Sequence, residues 1–346
     1  MRLTGCYCNS MRSFSLYSRF LLVVLISIAL APAPRAQSQK PAEPEDIPSI
    51  KVDVDLVSVL VSVRNKAGGL VGNLSKDDFT VVEDGKPQTI KYFARDTDLP
   101  LTIGLLVDIS GSQARLIEDE RRAAFQFFSA VLRKKDMAFL ISFGPECELL
   151  QDFTNSAKLL QSSLDGLHVE SGVGGLHPGP VPTAGTPRGT VLYDAVYLGA
   201  TDRLQKEVGR KAMVLITDGV DQGSRLKKEA AIEAAQKSDS IIYSIYYVDR
   251  SAYFGHGGFG LGVSDGALKQ MSEETGGRLL KVDGKHSLND IFNQIQEEMR
   301  SQYSISYTST NPKRDGSFRR LEIKTKDKNQ KVQARKGYYA MPQEKS

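Results

Sequence analysis

Five near-continuous apolar runs, separated by stretches of helical periodicity, constrain this chain more than any other feature. The runs are Leu101–Val107, Met137–Phe143, Ala212–Thr217, Ile241–Val248 and Arg278–Val282. The helical stretches are Ala114–Leu132, Ala157–Leu164, Val191–Leu204, Lys227–Lys237, Asp265–Thr275 and Leu288–Arg300. In the first of these, Ile117, Ala124, Phe127, Phe128 and Val131 make one apolar face. A strand that is apolar on both sides needs cover on both sides, and strands joined through helices run parallel. The pattern predicts an α/β fold, a doubly wound and mostly parallel sheet of Rossmann-like type. Ligands of such sheets bind beyond the carboxyl ends of the strands.

The flanking segments, residues 50–97 and 302–341, follow a period of two instead. Val52, Val54 and Leu56 alternate, then Val57, Val59, Val61 and Val63 alternate in the other phase. The switch at Leu56–Val57 predicts a bulge or a strand buried on both faces. Phe79 and Val81 lead through Glu83-Asp84-Gly85, a hairpin signal, to Ile90 and Tyr92. Tyr303, Ile305 and Tyr307 alternate in the second segment, followed by Phe318, Arg320, Leu321 and Ile323, then Val332 and Tyr338-Tyr339. Neither segment is long enough to be stable alone. They are expected to pair into one small β-sandwich, with the α/β domain at residues 99–300 inserted between its halves. Two Gly-rich stretches, Val169–Gly189 and Asp249–Gly262, interrupt the α/β part. Loops of that length are usually functional or disordered. Tyr253, Phe254 and Phe259 in the second either form a contact surface or tuck onto the domain.

Arg12 and Arg19 precede an apolar stretch from Phe20 to Leu30, with small residues and prolines up to Ala36. That order reads as a secretory signal over residues 1–36. The run is short of the ~20 residues a membrane span needs, and an uncleaved N-terminal membrane anchor is the alternative. Residues 37–49 read as a Pro- and Glu-rich linker. The expected location is secreted or periplasmic, with no membrane span after signal cleavage. Residues 1–36 hold four arginines and no acid, which leaves 41 basic and 41 acidic side chains and a formal charge of zero. A neutral chain gives no support to nucleic-acid binding. Residues 300–346 carry 12 Lys/Arg against 4 Asp/Glu, either a solvated β-surface or a docking face for an acidic partner. Only Cys147 remains after the signal, so the fold has no internal disulfide and the thiol reads as a small buried hydrophobe. The four histidines lack zinc-site spacing.

The run Leu105-Leu106-Val107 ends in Asp108, with Ser110 and Ser112 following at alternate positions. A strand end thus delivers a carboxylate and two hydroxyls into a turn, where hard cations find the oxygen donors they prefer. Two further oxygen donors fall at the same sheet edge. Thr190 stands before the helical Leu192–Val196, and Asp218 ends the run Met213–Thr217 ahead of Gly219. The five positions, Asp108, Ser110, Ser112, Thr190 and Asp218, resemble the metal-ion-dependent adhesion site of von Willebrand factor A (VWFA) domains. That motif is D-x-S-x-S, then a distant Thr, then an Asp in a T-D-G context. The resemblance covers about residues 99–300. The flanks resemble those of secreted VWFA-related proteins from Acidobacteria, down to the terminal Arg335-Lys336-Gly337-Tyr338-Tyr339.

The resemblance implies that Ser110, Ser112 and Thr190 bind Mg²⁺ (or Mn²⁺) directly, and that Asp108 and Asp218 act largely through water. One coordination position then stays free for a carboxylate of a protein or peptide partner. Asp221 and Ser224 either support the site or belong to a polar loop before the next helix, and Asp194 reads as a helix-surface or hydrogen-bonding residue. The expected function is non-enzymatic binding and adhesion. A metal-dependent hydrolase or phosphatase with Asp108 as nucleophile is the alternative, and a scaffold with an unused metal site is another. Neither a G-x-S-x-G elbow nor a glycine-rich dinucleotide fingerprint follows the first strand of the α/β part.

Overall fold

The computed structural model describes residues 56–95, 99–169, 189–249 and 265–342. The expected signal and linker, Val52 and Val54, the aromatic loop around Tyr253–Phe259 and most of the Val169–Gly189 stretch lie outside these residues.

Six strands form the central sheet: β5 (Leu101–Asp108), β6 (Met137–Phe143), β7 (Cys147–Thr154), β8 (Arg210–Thr217), β9 (Ser240–Tyr246) and β10 (Leu279–Lys281). Their order is β10-β9-β8-β5-β6-β7. All neighbours are parallel except β6 and β7, which pair antiparallel. β5 and β8 are buried along their whole length, as the apolar runs require. Helices α1 (Ile117–Val131), α2 (Ala157–Asp165) and α6 (Leu288–Arg300) cover one face, where Ile103, Leu105 and Val107 meet Phe127, Phe128 and Phe292. Helices α3 (Leu192–Leu198), α4 (Lys228–Lys237) and α5 (Gly266–Thr275) cover the other, where Leu106 and Met213 meet Leu192, Val196 and Met271. Gly104 has no side chain because the Phe139 ring fills its place, 2.2 Å from where a Cβ would stand. The doubly wound, mostly parallel arrangement expected from the sequence is the one observed.

Three local details differ from the sequence pattern. The edge strand β7 was not anticipated. α1 begins at Ile117 rather than Ala114, after a 3₁₀ turn over Gly111–Gln113. The stretch expected as one helix over Val191–Leu204 is α3 followed by a π-helical segment, Gly199–Leu204.

The flanking segments make two four-stranded sheets. One holds β13 (Lys331–Gln333), β1 (Leu56–Arg64), β11 (Tyr303–Thr308) and β4 (Ile90–Arg95), in that order. The other holds β14 (Gly337–Tyr339), β12 (Phe318–Thr325), β2 (Phe79–Glu83) and β3 (Lys86–Gln88). Val57, Val59, Val61 and Val63 share their core with Phe79, Tyr303, Ile305, Tyr307, Leu321 and Ile323. Asp84 and Gly85, both at positive φ, make the tight turn between β2 and β3. The alternation of β12 gives an inward slot to Arg319, which is only 2% exposed and pairs with Glu83 at 3.3 Å. Glu83 also accepts hydrogen bonds from the hydroxyls of Tyr307, Ser309 and Tyr338. On the α/β side, the buried Glu298 of α6 takes Arg64 of β1 at 2.6 Å, Gln333 of β13 at 2.6 Å and Arg278 at 2.9 Å.

Candidate metal centre

β5 and β8 are adjacent, and the connections leaving them run to opposite sides of the sheet, so a crevice opens beyond their carboxyl ends. Asp108 is the last residue of β5, and Asp218 follows the last residue of β8. Asp108 is 0% exposed and Asp218 1%. Its backbone turn brings the Ser110 amide to Asp108 Oδ1 at 2.9 Å. The hydroxyls of Ser110 and Ser112 lie 3.0 Å apart, and Ser112 Oγ donates to Asp218 Oδ2 at 2.6 Å. Side-chain hydrogen bonds therefore link Ser110, Ser112 and Asp218 directly, and the Ser110 amide draws in Asp108.

Thr190 is 6% exposed and is tied in through its backbone. Its carbonyl accepts from the Gln222 amide at 3.1 Å, in the loop that follows Asp218. The next residue, Val191, donates its amide to the Gly144 carbonyl at 2.9 Å, just past β6. The same loop is laced to α3 in both directions. Ser224 Oγ accepts from the amides of Tyr193 and Asp194, at 3.0 and 3.2 Å, and Asp221 Oδ1 accepts from Tyr193 at 3.3 Å. Asp194 returns the favour, its carboxylate accepting from the amides of Arg225 and Leu226 at 2.9 Å each. Asp221 and Ser224 thus satisfy the open amides at the start of α3. They bind the loop carrying Asp218 to the helix that Thr190 precedes.

Sequence reasoning passed over Thr217. Its hydroxyl donates to Asp108 Oδ2 at 2.6 Å and accepts from the Gly219 amide at 3.0 Å, which fixes the Asp108 carboxylate and the turn after β8 together. The T-D-G context held the signal, since a hydroxyl at a buried strand end needs a partner.

Burial pushes the Asp108 carboxyl up to about 6; the hydrogen bonds from Thr217 and Ser110 pull the other way, and the nearby Asp218 charge adds to the rise. No cationic side chain is among the causes of that shift. Two buried acids with three hydroxyls around them make an all-oxygen donor set short of positive charge, which fits a hard divalent cation. Among the described residues no three His, Cys, Asp or Glu side chains are grouped to hold a metal. A cation here would accordingly rest on hydroxyls as much as on carboxylates. Cys147 stands beside the site, half-buried, its thiol pushed up to about 12 by burial and by the Asp194 charge. The described histidines, His168 and His286, bond locally to Gly166 O and Asp283, away from these residues.

No family model and no curated protein matches the sequence. Solved structures do. The chain is similar to the conserved hypothetical protein BatB from Bacteroides thetaiotaomicron, at 16% identity over 57% of this chain and 97% of that one, with a TM-score of 0.42. It is similar to the SpRpn10 VWA domain, at 16% identity over 57% of this chain and 95% of that one, TM-score 0.37. A third is proximal thread matrix protein 1 from the mussel byssus, solved with a zinc-occupied MIDAS motif, at 12% identity over 63% of this chain and 50% of that one, TM-score 0.45.

Proposed function

We propose that the chain is an extracytoplasmic, non-enzymatic binding protein whose VWFA-type domain grips a carboxylate of a protein or peptide partner through a divalent cation. The convergence of Ser110, Ser112, Asp108 and Asp218 on one hydrogen-bonded cluster at the β5–β8 crevice carries this reading. Ser110, Ser112 and Thr190 would hold Mg²⁺ (or Mn²⁺), with Asp108 and Asp218 behind them. The ion supplies an electrophilic position that a partner's carboxylate completes. The chain's own residues do the rest. Thr217 and the Ser110 amide hold Asp108 in place, while Asp221, Ser224 and Asp194 keep the Asp218 loop against α3. Among the described residues, no helix is long and apolar enough to cross a membrane.

A hydrolase using Asp108 as nucleophile needs a carboxylate oxygen free to attack. Here both oxygens accept hydrogen bonds and the side chain is wholly buried, so binding is the better-supported reading. Isothermal calorimetry with MgCl₂ and MnCl₂ tests it. The folded protein should bind one ion, and Asp108→Ala and Ser112→Ala should lose it. Absence of binding by the wild-type protein, or an unchanged isotherm in both variants, would refute the reading.

A further inference from the structure

We infer that Glu120 is a third acidic residue of the cation site, acting on the bound ion across water rather than as a direct ligand; this rests on the metal-binding reading above. Glu120 lies in the first turn of α1, on the face that buries Ile117, Ala124, Phe127 and Phe128. It is 0% exposed, and both of its carboxylate oxygens lack a hydrogen-bond partner. Gln113, seven residues earlier and directly after Ser112, is also fully buried. Its amide nitrogen donates to the Tyr247 carbonyl at 3.3 Å, which leaves its Oε1 as another unpartnered acceptor. Buried acceptors of this kind are rare in folded proteins and call for a donor.

The surroundings say which donor suits them. After burial, the influences on Glu120 are the negative charges of Asp108, Asp119 and Asp218, and together they hold its carboxyl well above the usual carboxylate range. A buried carboxylate that feels the charges of the two crevice acids is tolerated where a cation offsets them. Among the described residues no three His, Cys, Asp or Glu side chains are grouped to hold a metal, which speaks for an outer role of Glu120 over direct coordination. The water shell that Mg²⁺ retains supplies donors of the right kind, polarised by the ion. Outer carboxylates of this sort typically change metal affinity by about 10- to 100-fold.

The test uses the full chain. In calorimetry with MgCl₂, Glu120→Gln should bind at least ~10-fold more weakly than wild type, while Glu120→Asp, which keeps the charge, should lose less. In EDTA, Glu120→Gln should unfold at higher urea than wild type, because an acid whose ionised form the fold opposes has gone. Glu120→Leu, a good helix former of similar volume, gives the same affinity reading should the Gln variant fail to fold. Wild-type Mg²⁺ affinity in either neutral variant, or equal losses in the Asp and Gln variants, overturns the role of Glu120 and leaves the metal site standing. A wild-type protein that binds no Mg²⁺ overturns both.

Discussion

Asp108 offers the sharpest quantitative check, because the burial that would suit it to a cation penalises its ionised form when no metal is bound. Its carboxyl moves from 3.8 to about 6 on folding, with desolvation the main cause. Each tenfold in proton affinity is worth about 1.4 kcal/mol, so the ionised side chain costs the metal-free protein roughly 3 kcal/mol. Between about pH 4 and pH 6 the folded protein keeps a proton on Asp108 that the unfolded chain has released. Stability from this group is therefore complete at low pH, falls as pH rises through that window, and levels off above it. Asp108→Asn removes the dependence. The variant loses part of the hydrogen bonding with Thr217 and the Ser110 amide, a cost of about 1 kcal/mol that is the same at every pH and cancels from the comparison. Urea unfolding in EDTA, followed by circular dichroism, should show the variant gaining roughly 3 kcal/mol on wild type between about pH 4 and pH 7. Adding Mg²⁺ at about 100 times its Kd should return ~2.7 kcal/mol to the wild type alone. A gap between the two proteins that stays constant with pH would refute the reasoning.

Two other outcomes follow from the packing. Glu83→Ala leaves the Arg319 guanidinium buried without its carboxylate and strips Tyr307, Ser309 and Tyr338 of a shared acceptor; urea unfolding should show a loss of about 3–5 kcal/mol, and a loss below ~1 kcal/mol would contradict the role given to that pair. Cys147, half-buried with its thiol raised to about 12, should react with iodoacetamide at pH 8 at least ~100-fold more slowly in the folded protein than in urea, and equal rates would contradict the burial.

The parallel sheet was legible because strands covered on both faces leave an unbroken apolar record, as β5 and β8 do. β7 left none. It is an edge strand, only partly buried, with polar Glu148, Gln151 and Asp152 along it, and its antiparallel pairing is set by the turn at Gly144–Glu146. Asp108, Ser110 and Ser112 were readable from their alternate spacing at the end of one apolar run, and Asp218 from its place at the end of another. The support around them was not, since Thr217 bonds the Asp108 carboxylate, and Asp194 and Ser224 bond backbone amides, each brought from elsewhere in the chain. Glu120 was concealed by its neighbours. It sits in the run Glu118-Asp119-Glu120-Arg121-Arg122, which looks like a solvated face. Yet it stands three residues after Ile117 and four before Ala124, in the middle of the apolar stripe. An acid at the centre of such a stripe was the available signal. Arg319 is the same lesson in a strand, at the inward position between outward-facing Phe318 and Arg320.

The chain leaves the sandwich at β4 and returns at β11, and those two strands are hydrogen-bonded neighbours, with Arg95 opposite Tyr303. The chain thus enters and leaves the α/β unit at one ladder, and Glu298 of α6 adds ties to Arg64 of β1 and Gln333 of β13. The unit's doorway is as narrow as a hairpin's, so a different module could be spliced there without moving any strand of the host. A pull on the α/β unit would in turn reach two adjoining strands together, and from them the valine-lined interior.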